Sequence, residues 1–181
     1  MASTSHTSRR AVLQFSDGTQ IVNPRFFYKI HEGYGFVASR RFEGVASDAS
    51  VDLYFENPAG SGRQVYIVVV DVIGLAQLYV DLYRGSTVTS HGTAVAPANL
   101  NLGKAVSPAA IVEYGGTYAT GTLAESTVVP GGSRVRAVGG AVEAGQAAVV
   151  PEGHNLLVRA TNRSASSTDL SIRIIWWEEP A

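Results

Sequence analysis

The stretch Asp169-Leu-Ser-Ile-Arg-Ile-Ile-Trp-Trp177 decides the fold of this chain. Large apolar residues occupy every second position from Leu170 to Trp176, with mostly polar residues between them. Successive side chains of a strand point to opposite faces, so this period of two predicts a long strand with one face in the core. Trp177 falls on the other phase. We expect it to face out and to pack against another subunit, the N-terminal arm, a loop or a ligand.

The same alternation recurs elsewhere in the chain. Residues 51–56 and 78–83 alternate between apolar and polar phases, whereas Val65-Tyr-Ile-Val-Val-Val70 is apolar on both. The latter pattern predicts a central strand that is covered on both faces. Turn residues such as those in Asn57-Pro-Ala-Gly-Ser-Gly62 separate these runs at the even spacing of a β-sandwich. We therefore predict an all-β, antiparallel, jelly-roll-like sandwich.

The chain is organised as one sandwich domain with an extension at its N-terminus. No segment keeps a helical period of 3.6 over three turns, and Pro108 interrupts the best candidate. We predict the sandwich over residues 50–181 and an arm with a hairpin extension over residues 1–49. The predicted strands, several of which are expected to merge or fail, are about 11–15, 19–22, 26–30, 35–42, 50–57, 64–73, 75–84, 109–114, 117–124, 134–142, 147–150, 155–161 and 168–178.

Composition excludes several classes of protein. The chain of 181 residues has no Cys, which excludes a disulfide framework, a zinc finger, an iron–sulfur site and a thiol nucleophile. A formal net charge of −1 creates no field that attracts nucleic acid or an anionic membrane, so we expect neither as a partner. The first ten residues contain no apolar segment, and no apolar run reaches the roughly 20 residues of a membrane span. We expect a soluble chain without an export signal at its N-terminus.

The sequence contains no motif for catalysis or metal binding. The histidines His6, His31, His91 and His154 are too far apart to form a local pair with metal-ligand spacing. Neither a Gly-x-Ser-x-Gly elbow nor a Gly-Lys-Ser/Thr phosphate loop occurs. The stretch Gly145–His154 resembles half of a cupin motif, but the chain lacks the His-x-His half that supplies the other metal ligands. We therefore expect a protein that is not an enzyme and has no catalytic residues, cofactor or metal.

Several features favour contacts with other subunits. The 14 basic residues are mostly Arg, which is enriched at interface cores, whereas Lys is depleted there. Ala11-Val-Leu-Gln-Phe15 has the character of a strand and can add to an exposed sheet edge of a neighbour. The preceding Ser/Thr-rich decapeptide frays unless it docks on its own domain or on a neighbouring subunit, and both alternatives stay open. The candidate interface residues are Arg9, Arg10, Val12, Leu13, Phe15, Tyr79, Tyr83 and Trp177.

Over about residues 50–179, strand and turn segments follow one another in a recognisable order. They are Val51-Asp-Leu-Tyr-Phe-Glu-Asn57-Pro-Ala-Gly-Ser-Gly62, the apolar strand from Val65, Ala96-Pro-Ala-Asn-Leu-Asn-Leu-Gly103, Tyr118-Ala-Thr-Gly-Thr-Leu123, Val149-Val-Pro-Glu-Gly-His-Asn-Leu-Leu-Val158 and Ile174-Ile-Trp-Trp-Glu-Glu179. This order resembles β-sandwich structural proteins in the virions of tailed phages and related prokaryotic viruses, of the capsid decoration, cement or spike type.

The resemblance implies a virion component that is not an enzyme. It implies a homo-oligomer, often a trimer, that sits on a viral shell or tail protein and stabilises it. Two alternatives remain open. One is an extracellular, pilus-like filament subunit joined by donor-strand exchange, and the other is a carbohydrate-binding module for host recognition, for which Trp177 and Tyr83 supply aromatic surface.

Overall fold

The computed structural model describes residues 13–14, 20–21, 25–130, 136–139 and 148–181. Among these residues no helix is long and apolar enough to cross a membrane. The elements in chain order are β1 (Leu13–Gln14), β2 (Gln20–Ile21), α1 (Arg25–Glu32), β3 (Gly35–Val45), β4 (Ser50–Asn57), β5 (Arg63–Gly74), β6 (Leu78–Arg84), β7 (Thr87–Ser90), β8 (Thr93–Ala94), β9 (Ala98–Asn99), β10 (Ile111–Tyr114), β11 (Thr117–Ala119), β12 (Thr122–Val129), β13 (Arg136–Gly139), β14 (Ala148–Val150), β15 (His154–Asn162) and β16 (Thr168–Pro180).

Two antiparallel sheets pack face to face and enclose the core. The first sheet has the strand order β12-β6-β15-β4-β10-β8. The second has the order β13-β5-β16-β3-β9, and β14 also pairs with β5. The pairs β1–β2 and β7–β11 form two small sheets of two strands each. The predicted all-β antiparallel sandwich is confirmed, and the jelly-roll connectivity remains a prediction.

β16 lies in the second sheet between β5 and β3 and pairs with both over most of its length. Its even-numbered side chains, Leu170, Ile172, Ile174 and Trp176, are buried in the core as their period of two predicts. The Trp176 ring meets the Phe55 ring of β4 edge-on, with 5.1 Å between the ring centroids. Since β4 belongs to the opposite sheet, this contact joins the two sheets through the core.

β5 carries apolar residues on both phases, as predicted, and a bulge in the middle. Its ladder with β16 moves from the pair Val69–Ile175 directly to the pair Ile67–Trp176, so Val68 has no partner on β16. A bulge of this kind bends the strand and increases its twist. Three positions after Val68, the fully buried Asp71 forms an ion pair with Arg173, its cross-strand neighbour.

Residues 26–30 form a helix, and our prediction of a strand there is wrong. The helix ends in a Schellman motif: the Tyr34 amide donates to the Lys29 carbonyl at 2.8 Å and the Gly33 amide donates to the Ile30 carbonyl at 2.9 Å. Gly33 adopts φ +90°, which glycine does without the strain of a Cβ. With only two turns, α1 is too short for a helical period to stand out in the sequence.

Two further boundaries differ from the predicted ones. The predicted strand at 117–124 is divided at Gly121 into β11, which pairs with β7, and β12, which pairs with β6. A Cβ on Gly121 would lie 2.1 Å from the Arg84 carbonyl oxygen, so the crossing between the two strands requires glycine. β3 lies inside the second sheet, although we assigned residues before 50 to the extension.

Buried asparagines hold the ends of two strands of the first sheet. At the end of β15, the Asn162 side-chain amide donates to the Val45 carbonyl at 2.9 Å and to the Ser166 carbonyl at 2.8 Å. Its side-chain oxygen accepts the Ser164 amide at 2.9 Å. Asn57, the last residue of β4, donates in the same way to the carbonyls of Arg63 and Val150. Each asparagine thus satisfies main-chain groups of two separate segments.

We expect Asn162→Ala to lower the free energy of unfolding by about 2–4 kcal/mol, because it leaves buried main-chain groups without partners. Urea denaturation followed by fluorescence measures this change. The control Arg163→Ala removes a neighbouring exposed ion pair with Asp48 and should cost less than about 1 kcal/mol. Equal effects of the two substitutions would contradict the role assigned to Asn162.

Candidate assembly interface

The second sheet has an open edge along β3. β3 pairs with β16 from Gly35 to Val45, but β9 covers its other side only at Phe36 and Val37. In the part of the chain that the structure describes, no strand pairs with that side of β3 beyond Val37. We call residues 38–45 of this strand the open edge. Unpaired strand edges are templates for pairing with another chain.

The main-chain groups of Ser39 and Arg41 point to the open side. The Gly35 carbonyl accepts a hydrogen bond from the Leu100 amide at 2.9 Å, so Gly35 faces the β9 side of β3. Alternate residues of an antiparallel strand present both main-chain groups to the same side. The β16 ladder is regular from Gly35 to Phe42, so residues 37, 39 and 41 also face that side. Val37 is covered by β9, which leaves Ser39 and Arg41 available to a new strand.

A groove runs beside the open edge and leads towards the core. It lies between β3 of the second sheet and the start of β4 of the first, with an open volume of about 760 Å³. Phe42, Val45, Ala49 and Val51 line it, and all four belong to or pack against the hydrophobic core. A side chain that enters this groove from another segment can therefore bury apolar surface against the core.

Arg40 and a bulge at Gly44 hinder the addition of an arbitrary strand to the open edge. Arg40 stands on the phase of Phe36 and Phe42 and covers the Tyr114 ring of β10, 4.1 Å from its centroid. The β16 register jumps after Phe42, and Gly44 in this bulge has φ +62°. The Asp169 carboxylate accepts the Gly44 amide at 2.8 Å and fixes the bulge. Inward-pointing charges and bulges are common protections of sheet edges, so only a strand that accommodates both can add here.

A buried polar cluster fixes the β7–β11 sheet on the first sheet. The Glu113 carboxylate, nearly fully buried, accepts the Tyr118 hydroxyl at 3.2 Å and lies 3.2 Å from Nδ1 of His91. The Tyr118 ring stacks on Tyr54 with 5.0 Å between centroids. Burial raises the pKa of both tyrosines, with a further increase from Glu113 for Tyr118 and from Glu56 for Tyr54. Both phenols stay neutral: the Tyr118 hydroxyl donates to Glu113 and holds the β7–β11 sheet on the first sheet, and the Tyr54 hydroxyl donates to Glu56 within β4.

The predicted aromatic candidates of β6 lie on the outer face of the first sheet. Tyr79 is exposed, and the Arg163 guanidinium lies 5.2 Å from its ring centroid. Tyr83 is half-buried against the cluster of Tyr54, Tyr118 and Leu157. Tyr79 therefore offers free aromatic surface, whereas Tyr83 is committed largely to packing within the chain.

Trp177 lies on the outer phase, as predicted, but its ring is covered within the chain. Only 5% of the residue is exposed. Its ring stacks on Tyr66 of β5 at 3.9 Å, and the Arg25 guanidinium of α1 lies 5.3 Å from its centroid. Of the alternatives left open for Trp177, the structure shows a contact with the N-terminal extension of the same chain. The ring offers no exposed platform for a ligand.

The remaining candidates belong to the N-terminal arm. Leu13 lies in β1, opposite Ile21 of β2. Arg9, Arg10, Val12 and Phe15 lie outside the described residues.

The open edge was not among our predicted sites, although the sequence carries one signal for it. Phe36, Ala38, Arg40 and Phe42 occupy one phase of β3, and Arg40 is the charged residue in an otherwise apolar row. A charged residue on the core phase indicates the margin of the core, and Arg40 is exposed there, with its guanidinium over the Tyr114 ring of the opposite sheet.

The described residues offer no metal centre, since no three His, Asp or Glu side chains among them are grouped to hold an ion. Comparison with known proteins yields no family, because no family model, curated protein or solved structure matches the chain.

We expect the contact between Tyr66 and Glu179 to make the free energy of unfolding fall as the pH rises in the alkaline range. Burial, then a 2.7 Å hydrogen bond to the Glu179 carboxylate, raises the pKa of Tyr66 to about 12. The folded-state pKa lies above the unfolded value of about 10, so this contribution is complete below pH 10 and is lost as the pH rises to 12.

Unfolding free energies measured from pH 9 to 12 test this expectation. Tyr66→Phe should make the decline above pH 10 shallower than in the wild type, and Tyr79→Phe should leave it unchanged. Identical slopes for the wild type and Tyr66→Phe would contradict the assignment.

Proposed function

We propose that this protein is a structural subunit of a virion, of the capsid decoration or cement type. It acts without catalysis, as a homo-oligomer bound to a viral shell or tail protein. The observation that supports the proposal best is the open edge of β3 beside a groove that leads to the core. A rigid sandwich with an unpaired edge is suited to binding another chain.

Exposed apolar side chains elsewhere also favour association. Leu123 and Val128 of β12 are 52% and 54% exposed, and Val128 stands opposite the exposed Tyr79. Val128 and Tyr79 form a small exposed apolar pair on one face, which a partner surface can cover. Two separate parts of the sandwich thus have surface for contacts: the open edge at β3 and the exposed apolar residues of β12, the edge strand of the first sheet.

The virion setting comes from the sequence resemblance over about residues 50–179. An extracellular filament is the second candidate, since the same open edge would also accept a donor strand from the next subunit. The two differ in closure, because a decoration protein forms a closed oligomer and a filament grows without limit. The carbohydrate-binding alternative has less support, because Trp177 is covered.

We expect the purified full chain to form a closed oligomer. Light scattering after size exclusion should give about three times the chain mass of 19.1 kDa, and electron microscopy should show uniform particles. Mass spectrometry should find the chain in many copies in particles of the virus that encodes it. A monomer at all concentrations would refute the proposal, and open-ended polymers would favour the filament.

We expect Ser39→Pro to weaken assembly at least tenfold while the sandwich still folds. Proline removes an amide that faces the open side and does not donate to β16, and sheet edges tolerate proline. Ser39→Ala, which keeps the amide, is the matched control and should assemble normally. Concentration-dependent light scattering measures association, and thermal unfolding checks the fold. Unchanged association of a folded Ser39→Pro chain would show that this edge is not used.

A further inference from the structure

We propose that the groove beside the open edge binds a small carboxylic acid with a single apolar chain. The carboxylate lies at Arg40, and the chain lies along Phe42, Ala49 and Val51. The inference goes beyond the proposed function and does not depend on it, because one copy of the chain supplies every residue of the site. The ligand is defined by its chemistry, which is one negative charge at the end of an apolar body.

The apolar wall of the groove is continuous with the hydrophobic core. Phe42, Ala49 and Val51 are half-buried and pack against core residues, and Val45, which also lines the groove, belongs to the core itself. The open volume of about 760 Å³ is within the range of small-molecule sites. An apolar chain that lies in the groove therefore removes from water the apolar surface that the two sheets leave partly covered.

A positive charge without a carboxylate partner stands at this groove. Arg40 is exposed and lines the groove. Among the described residues, no carboxylate forms an ion pair with its guanidinium. The other two charged residues of the groove, Arg41 and Glu43, pair with each other. The groove thus carries one unmatched positive charge, which complements a single negative charge on a ligand.

Tyr114 of β10 brings this charge and the apolar wall together. The Arg40 guanidinium lies over its ring, 4.1 Å from the centroid, and the Phe42 ring meets it edge-on with 6.0 Å between centroids. One ligand can therefore place its carboxylate at Arg40 and its chain against Phe42. A guanidinium that already rests on an aromatic face also loses less freedom when it binds an anion.

The same contacts disfavour ligands of other charge. A cation would meet Arg40, which already occupies the face of the Tyr114 ring. A neutral apolar ligand would take water from the Arg40 guanidinium without supplying a carboxylate in return, and burying an unpaired charge is unfavourable. A ligand with several negative charges would meet the Glu43 carboxylate in the lining of the groove. A monocarboxylate with an apolar chain avoids all three penalties.

Isothermal titration calorimetry of the full chain with decanoate, kept below its micelle concentration, tests the proposal. We expect saturable binding at one site per chain. Hexanoate should bind at least tenfold more weakly, because its shorter chain buries less apolar surface. Decyltrimethylammonium, which has the same chain and the opposite charge, should show no saturable binding. Absence of saturable decanoate binding, or equal binding of the two decyl compounds, would overturn the proposal.

Substitutions at Arg40 locate the site. Arg40→Gln removes the charge and should weaken decanoate binding at least tenfold. Arg84→Gln changes an exposed arginine at the end of β6, in the first sheet, and as the matched control should bind decanoate like the wild type. Arg40→Glu reverses the charge and should transfer the preference to decyltrimethylammonium, a gain that loss of folding cannot produce. Undiminished decanoate binding by a folded Arg40→Glu chain would refute the assignment.

The outcomes for the groove and for assembly are separable, because light scattering on the same samples records the oligomer mass. A wild type that assembles but does not bind decanoate refutes the ligand site and leaves the proposed function standing. A chain that binds decanoate but stays monomeric at all concentrations supports the ligand site and refutes the proposed function.

Discussion

The pairing of β16 with β5 on one side and β3 on the other is the constraint on which the second sheet depends. Four buried side chains of β16 supply one wall of the core, and Trp176 reaches the opposite sheet. Next to it, the buried Glu178 carboxylate accepts the Trp176 indole at 3.0 Å and the amides of Ala109 and Ala110. β16 thus fixes the positions of its neighbours β5 and β3 and of residues 109–110, which lead into β10. Since β9 covers the other side of β3 only at Phe36 and Val37, the described residues leave positions 38–45 of β3 open to a further strand.

Much of this sheet was predictable, because period-two alternation is a local property of the sequence. It identified β16 and the outward phase of Trp177 correctly, whereas β5 was predicted from a run that is apolar on both phases. The helix α1 was missed, since two turns give too few repeats of a helical period, although Gly33 marks its end. The open edge could not be predicted from β3 alone. Whether a strand has a second neighbour depends on where β9 ends, and that is decided by residues some sixty positions away. Only the charge of Arg40 on an apolar phase gave a local indication.

The open edge combines features that attract a strand with features that exclude most strands. Main-chain groups of Ser39 and Arg41 and an apolar groove favour addition. Arg40 and the bulge at Gly44 oppose pairing between two copies of the same edge, since like charges would meet and the bulge would interrupt the ladder. Specificity requires such repulsive elements as well as attractive ones. The edge is therefore better suited to one complementary segment than to open-ended aggregation.

A strand of another chain that adds to this edge joins two different surfaces, so the contact is heterologous, and the rotation between neighbours decides whether the assembly closes. The bulge at Gly44, where the Asp169 carboxylate accepts the Gly44 amide, interrupts the ladder with β16 after Phe42. A partner strand therefore has only a short regular stretch of β3 to pair with, and its register there sets the rotation at each contact. A rotation near one third of a turn gives a closed trimer, and this requirement distinguishes a decoration protein from a filament built with the same edge.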